Sequence, residues 1–259
     1  NILDDVPSGD ALMQQLQKLS ISEVEEQFNA IFEKQFFNLI KKKRRKAIVI
    51  IDVHEQETYS KDRKTSKHIR GGKHKNGTNY FFKFATIQIV VKNEVLTLAV
   101  KFYPRKKGIV PILNQLVKTA KKYVRIKTLL LDRGFRDTKI LNDLEFLQIP
   151  MLMPCIKDRK TREEFEKAKH NFTVVKYYWK NCKGEYADFK LMVMKLDNGK
   201  EIGFYTTLRF VLFRTMKYYL DLYAKRWNIE TGYRLQNQFL PKTTCVKGVV
   251  MYFYFCYAV

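Results

Sequence analysis

The chain has 259 residues, 46% apolar and 14% aromatic, enough for one large core with room for a small subdomain. Its 49 lysines and arginines face 26 acids, a formal charge of +23. The excess runs along the whole chain, which excludes a basic tail added to a neutral enzyme. Nucleic acid is the default partner, because neutralised phosphates release counterions. The four cysteines, Cys155, Cys182, Cys245 and Cys256, include no C-x-x-C pair, so neither a zinc site nor a redox motif is suggested. Reduced thiols in a cytosolic protein are the simplest expectation.

Residues 7–40 read as helical, with apolar residues at helical spacing and Ser22-x-x-Glu25 as a capping box. "KKKRRK" at 41–46 is a basic hinge. "AIVIIDVHE" (47–55) reads as a buried strand with Glu55 and Glu57 on its exit loop. "YFFKFATIQIVV" (80–91) and "VLTLAVKFYP" (95–104) form a hairpin across "KNE". A helix over 109–124, a strand over 126–134, a helix over 137–148 and a strand over 149–155 follow. This order predicts an α/β fold, a mixed sheet flanked by helices. Residues 156–207 open with a charged stretch and continue as strands separated by "NCKGE" and "DNGK". They predict a small antiparallel β insertion. A helix then spans about 216–239. The final "GVVMYFYFCYAV" is too short to span a bilayer, and reads as a core element cut short. With Asn1 in first place, the chain reads as a fragment of a longer protein.

Asp52 and Asp132 each follow a run of aliphatic residues. A carboxylate ending an apolar strand is costly unless something compensates it. In a mixed sheet their two strands are able to neighbour one another and bring both acids to one edge. Either aspartate alone reads as a turn cap; two of them, with a later acid on a helix, point to a metal site. His54 shares the strand face of Asp52 and reads first as a polar edge residue, with lining the site as the alternative. On the last helix Tyr223, Arg226, Glu230, Tyr233 and Asn237 recur at steps of three and four, one helical stripe, with Arg234 on its flank. The stripe is either a solvated Arg226–Glu230–Arg234 ladder or a metal ligand among phosphate clamps. The glycine-containing loop 68–80 lacks the lysine of a nucleotide-binding loop and reads as a phosphate-backbone contact. Lys101, Arg105, Lys106 and Lys107 form a further basic cluster.

"VIIDVHE", "LLLDRGF" and "YAKRWNIETGYR" resemble the three acidic motifs of the DDE transposases of insertion sequences. The branch is the one with a Tyr-x2-Arg-x3-Glu-x6-Lys signature helix, and the resemblance runs over about residues 45–245. It implies a ribonuclease-H-like catalytic domain over 46–259, with a β insertion at about 156–207 before the last catalytic helix. Residues 1–45 are then the remnant of a DNA-binding domain. It implies that Asp52, Asp132 and Glu230 hold two Mg²⁺ ions, for which Mn²⁺ substitutes, and cut and join double-stranded DNA at transposon ends. Tyr223, Arg226, Arg234 and Lys242 are the implied phosphate contacts, and a homodimer on paired DNA ends is the implied assembly. Asn237 stands where the signature has lysine, which leaves Arg234 or Lys242 to supply that charge. The alternative is an inactive or co-opted fragment that only binds DNA.

Overall fold

The computed structural model describes residues 8–40, 46–91, 94–168, 171–196, 198–208, 216–224, 226, 238–240 and 245–259. Helices α1 (Gly9–Lys18) and α2 (Ile21–Leu39) lead into strands β1 (Lys46–Glu57), β2 (Arg70–Lys75), β3 (Thr78–Val91) and β4 (Glu94–Phe102). Then come α3 (Ile109–Tyr123), β5 (Arg125–Leu131), α4 (Thr138–Phe146) and β6 (Met151–Pro154). The next part holds α5 (Arg159–Lys167), β7 (Phe172–Lys180), β8 (Tyr186–Lys195) and β9 (Glu201–Thr206). Helices α6 (Met216–Ala224) and α7 (Gly248–Ala258) follow.

One mixed sheet organises these elements. β1 lies near its centre, antiparallel to β3 and parallel to β5. β2 and β4 share the far edge of β3, and β5 continues through β6, β9, β8 and β7. Val49, Ile50 and Ile51 are all fully buried, as a central strand covered on both faces requires. Their side chains alternate between two cores. Val49 and Ile51 pack with α3 and α4 through residues such as Leu113, Leu116 and Leu141. Ile50 faces the other way, with Phe84 and with Val24, Phe32, Tyr223 and Phe255 from α2, α6 and α7.

Three local expectations change. The capping box at the start of α2 uses Ser20 and Glu23, two residues earlier than expected. Glu25 instead forms an ion pair with Lys101 of β4, so Lys101 is neutralised in the packed interface rather than grouped with Arg105–Lys107. β1 also extends through Glu57, which puts Glu55 and Glu57 on the strand, where they pair with Lys83 and Lys75.

The β insertion is antiparallel as expected, but it also widens the main sheet: β9 bonds to β6 over Leu152–Pro154. Its charged opening is α5, capped by Asp158. The expected core element at the chain's end is α7, whose Tyr252 hydroxyl sits 3.0 Å from the Val100 carbonyl. No helix among the described residues is long and apolar enough to cross a membrane.

Gly203 of β9 marks the junction between insertion and sheet. A methyl group there would run into Cys155 Sγ and lie 2.7 Å from Phe165 Cζ. Burial pushes the Cys155 thiol up to about 11, which keeps it protonated and unreactive at neutral pH. Gly203→Ala is expected to destabilise the fold by about 1–3 kcal/mol through overpacking, read as a lower denaturant midpoint, and to speed alkylation of Cys155.

Candidate active site

The parallel register of β1 and β5 ends at the pair Ile51 and Leu131. The next residue on each strand is an aspartate, so Asp52 and Asp132 stand side by side. Both also fall on one face. Ile50 and Leu130 belong to the core that contains α6 and α7, and a step of two along a strand returns to the same side. The backbone then diverges. Asp52 stays in the ladder opposite Thr86, whereas Asp132 opens a 3-10 turn over Arg133–Phe135, its carbonyl accepting from the Phe135 amide at 3.0 Å.

The two acids border a cavity of about 940 Å³, which His54, Lys75, Tyr103 and Phe135 also line. The Asp52 side chain is only 15% exposed, and its Oδ2 lies 3.7 Å from Arg226 Nη1. Its Oδ1 accepts from the Val53 amide at 3.0 Å. Arg226 is itself buried, with its guanidinium 5.4 Å from the centre of the Tyr223 ring. Burial raises the Tyr223 hydroxyl well above the ordinary tyrosine range; Arg226 opposes this, and the negative charges of Asp132 and Asp52 add to it. Tyr223 is therefore a neutral O–H donor within electrostatic reach of both aspartates. α6 presents it because Tyr219, Leu222 and Tyr223 form the apolar stripe that packs on the sheet.

His54 differs from the expectation of a polar edge residue. Its ring stacks on Phe255 at 5.0 Å. Burial pushes its pKa down to about 4, with Lys75 adding to the effect and Glu57 and Glu55 opposing it. It is a neutral wall of the cavity at physiological pH.

The structure thus brings Asp52, Asp132, Tyr223 and Arg226 together. Glu230, Arg234, Lys242, Tyr233 and Asn237 lie outside the described residues. Among the described residues no three histidine, cysteine or acidic side chains cluster as a metal site. The two aspartates do supply what a hard divalent cation takes: carboxylate oxygens facing an open cavity. The 3.7 Å contact to Arg226 is longer than a charge-assisted hydrogen bond, about 2.7–2.9 Å.

Sequence reasoning missed Arg136, whose only signal was its place four residues after Asp132. It donates from Nη2 to Asp158 Oδ2 at 2.9 Å. Its guanidinium lies 4.5 Å from the centre of the Trp179 ring and 5.4 Å from that of Tyr205. The turn that carries Asp132 is thereby tied to α5, β7 and β9. Burial works against the Asp158 carboxylate, but hydrogen bonds from the Thr161 amide and hydroxyl and from Arg136 outweigh it, and its pKa lies below the ordinary value.

The profile of the family described as "Transposase DDE domain" matches residues 43–248. Among solved structures, the chain is similar to piggyBac transposase in a cryo-EM synaptic complex with hairpin DNA, at 12% identity and a TM-score of 0.53. The match covers 83% of this chain and 45% of that one, so the chain spans less than half the length of that relative. The likeness is one of fold and agrees with the ribonuclease-H-like fold that the family resemblance implied. The NurA nuclease of Sulfolobus solfataricus matches at 11% identity over 76% of this chain and 86% of its own, with a TM-score of 0.34. Among curated proteins none matches.

Arg136→Ala is expected to cost about 2 kcal/mol, from a lost charged hydrogen bond and lost stacking. Faster hydrogen exchange at the 133–135 amides would report the freed turn. Asp158 adds an acid limb: its contribution is present above the unfolded value, about 3.9, and is lost as pH falls through its lower folded value. Asp158→Asn should flatten the stability profile below about pH 4, measured by denaturant titration.

Proposed function

The chain belongs to the transposase DDE domain family, and from that premise we propose that the Asp52–Asp132 cavity performs metal-dependent phosphoryl transfer on DNA. The reaction is strand cleavage and strand transfer at transposon ends. The observation that carries this reading is the Ile51–Leu131 pairing, which leaves two carboxylates adjacent on one face of the sheet. Asp52 and Asp132 would hold divalent cations together with Glu230; Mg²⁺ suits these oxygen ligands and Mn²⁺ substitutes. Such ions lower the pKa of an attacking water or 3′-hydroxyl and offset charge on the phosphoryl oxygens.

The chain's own residues supply positioning. Arg226 offsets the charge of Asp52 while it is buried, and offers its guanidinium to a phosphate entering the cavity. Tyr223, kept protonated by its surroundings, donates an O–H to the same oxygen class. The stacked, neutral ring of His54 closes the wall and adds no charge. Arg234 and Lys242 complete the proposed set of phosphate contacts, and either compensates for Asn237. In this reading 46–259 is the catalytic unit, 1–45 derives from a DNA-end-binding region, and two copies act on paired ends in the nucleoid.

The test is nicking of a supercoiled plasmid. Nicking should require Mg²⁺ or Mn²⁺ and stop on chelation. Asp132→Ala should slow it by more than about a hundredfold, since a bound cation supplies several kcal/mol of charge stabilisation. DNA affinity should be largely retained. Normal cleavage by this variant would sink the site assignment. A parent chain that binds DNA but never nicks in either ion would be a DNA-binding member of the family without catalysis.

A further inference from the structure

Beside the cavity, residues 58–78 and 103–108 hold ten lysines and arginines and one acid, Asp62. Among the described residues, only Lys75 of the ten pairs with a carboxylate, Glu57, at 3.4 Å. Some basic residues elsewhere are compensated, as Arg159 is by Glu163 and Lys167 by Glu164 on α5. An uncompensated cluster repels itself and is held together only by other contacts.

Those contacts come from the arginines. Arg70 Nη1 lies 2.7, 2.9 and 3.0 Å from the carbonyl oxygens of Pro104, Arg105 and Lys107. Its guanidinium stacks 4.0 Å from the centre of the Tyr103 ring. The Arg105 amide donates to the Lys67 carbonyl at 3.0 Å, and Arg105 Nη1 reaches the Lys64 carbonyl. Arg63 donates to the Ser60 carbonyl at 2.9 Å. Three arginines are thus spent on backbone oxygens, and two of them, Arg70 and Arg105, fuse two loops distant in sequence into one ridge. The lysines are left outside: Lys61, Lys64, Lys67, Lys73 and Lys106 are exposed. Lys75 and Tyr103 belong to both the ridge and the cavity wall.

We infer that this arginine-stapled ridge is a second DNA-binding surface, which seats the duplex backbone next to the cavity without reading its sequence. It rests on the DNA-acting reading above and extends it from the cleavage point to the flanking duplex. The division of labour follows side-chain chemistry. Planar guanidinium forks suit fixed carbonyl geometry, whereas flexible ammonium groups suit a row of phosphates whose positions vary with register. Arg70 is a positioning residue.

The test uses the full chain and a 30-base-pair DNA duplex, with affinity measured across salt concentrations. The variant Lys64→Ala/Lys67→Ala/Lys106→Ala is compared with Lys118→Ala/Lys121→Ala/Lys122→Ala, which removes the same charge from exposed positions on α3. Lys121 and Lys122 lie near the far end of that helix, about 20 Å from the ridge at 1.5 Å per residue. Each phosphate contact contributes roughly 0.9 to the slope of log affinity against log salt. The ridge variant should therefore lose about 2–3 in slope and roughly tenfold or more in affinity at moderate salt, and the α3 variant much less. Arg70→Lys keeps the charge but not the staple, and should also weaken binding; circular dichroism melts confirm that each variant folds. Equal affinity and slope in the two triple variants would overturn the ridge and leave the proposed reaction standing. A parent that binds but does not nick would sink the reaction and leave the ridge standing. Preference for double-stranded RNA, lost in the ridge variant, would overturn DNA as the partner.

Discussion

The candidate site depends on one backbone constraint: β1 and β5 run parallel and in register up to Ile51 and Leu131. Two hydrophobic strands, far apart in sequence, each end their paired segment one residue before an aspartate. A shift of one residue in that register would turn one acid toward the opposite core, because side chains alternate along a strand. The register is held by burial on both faces, since Val49, Ile50, Ile51, Leu129, Leu130 and Leu131 are all fully buried. Hydrophobic packing is non-directional, yet through strand alternation it aims two carboxylates the same way.

Placing carboxylates at the rim of a core carries an electrostatic cost, and the surroundings share it out. Arg226 sits beside Asp52. Tyr223 answers with a hydroxyl that stays protonated. On the other side of the Asp132 turn, Arg136 is held between Trp179 and Tyr205 and paired to Asp158. The β insertion is therefore a buttress for the second aspartate as well as an extension of the sheet. The same logic divides the molecule's positive charge. Lys101, Lys83 and Lys75 are balanced by glutamates, while Lys61, Lys64, Lys67, Lys73 and Lys106 of loops 58–78 and 103–108 are exposed and pair with no carboxylate among the described residues.

Several local readings failed where two short-range options competed. Ser20-x-x-Glu23 and Ser22-x-x-Glu25 are equally good capping boxes on paper; α2 uses the first because Glu25 meets Lys101 across the α2–β4 interface. His54 looked like an edge residue, because polarity alone does not reveal that Phe255, some two hundred positions later, stacks on it. Glu55 and Glu57 looked like loop residues, because their lysine partners sit on other strands of the sheet, Lys83 on β3 and Lys75 on β2. Arg136 carried almost no signal, since its three partners come from separate elements of the insertion.

By itself the sequence determined the strand and helix order, the aliphatic runs ending in Asp52 and Asp132, the antiparallel insertion and the basic character of the surface. Those features are written in periodicity and composition, which act over a few residues at a time. Only the tertiary structure decided that the two aspartates share a face, that Arg226 reaches Asp52, that Arg136 braces the second motif, and that two basic loops form one ridge. Each of these is a contact across long sequence separation. Its partners are selected by sheet register and by the burial of groups that must find a hydrogen bond or a counter-charge, and neither quantity exists until the chain is folded.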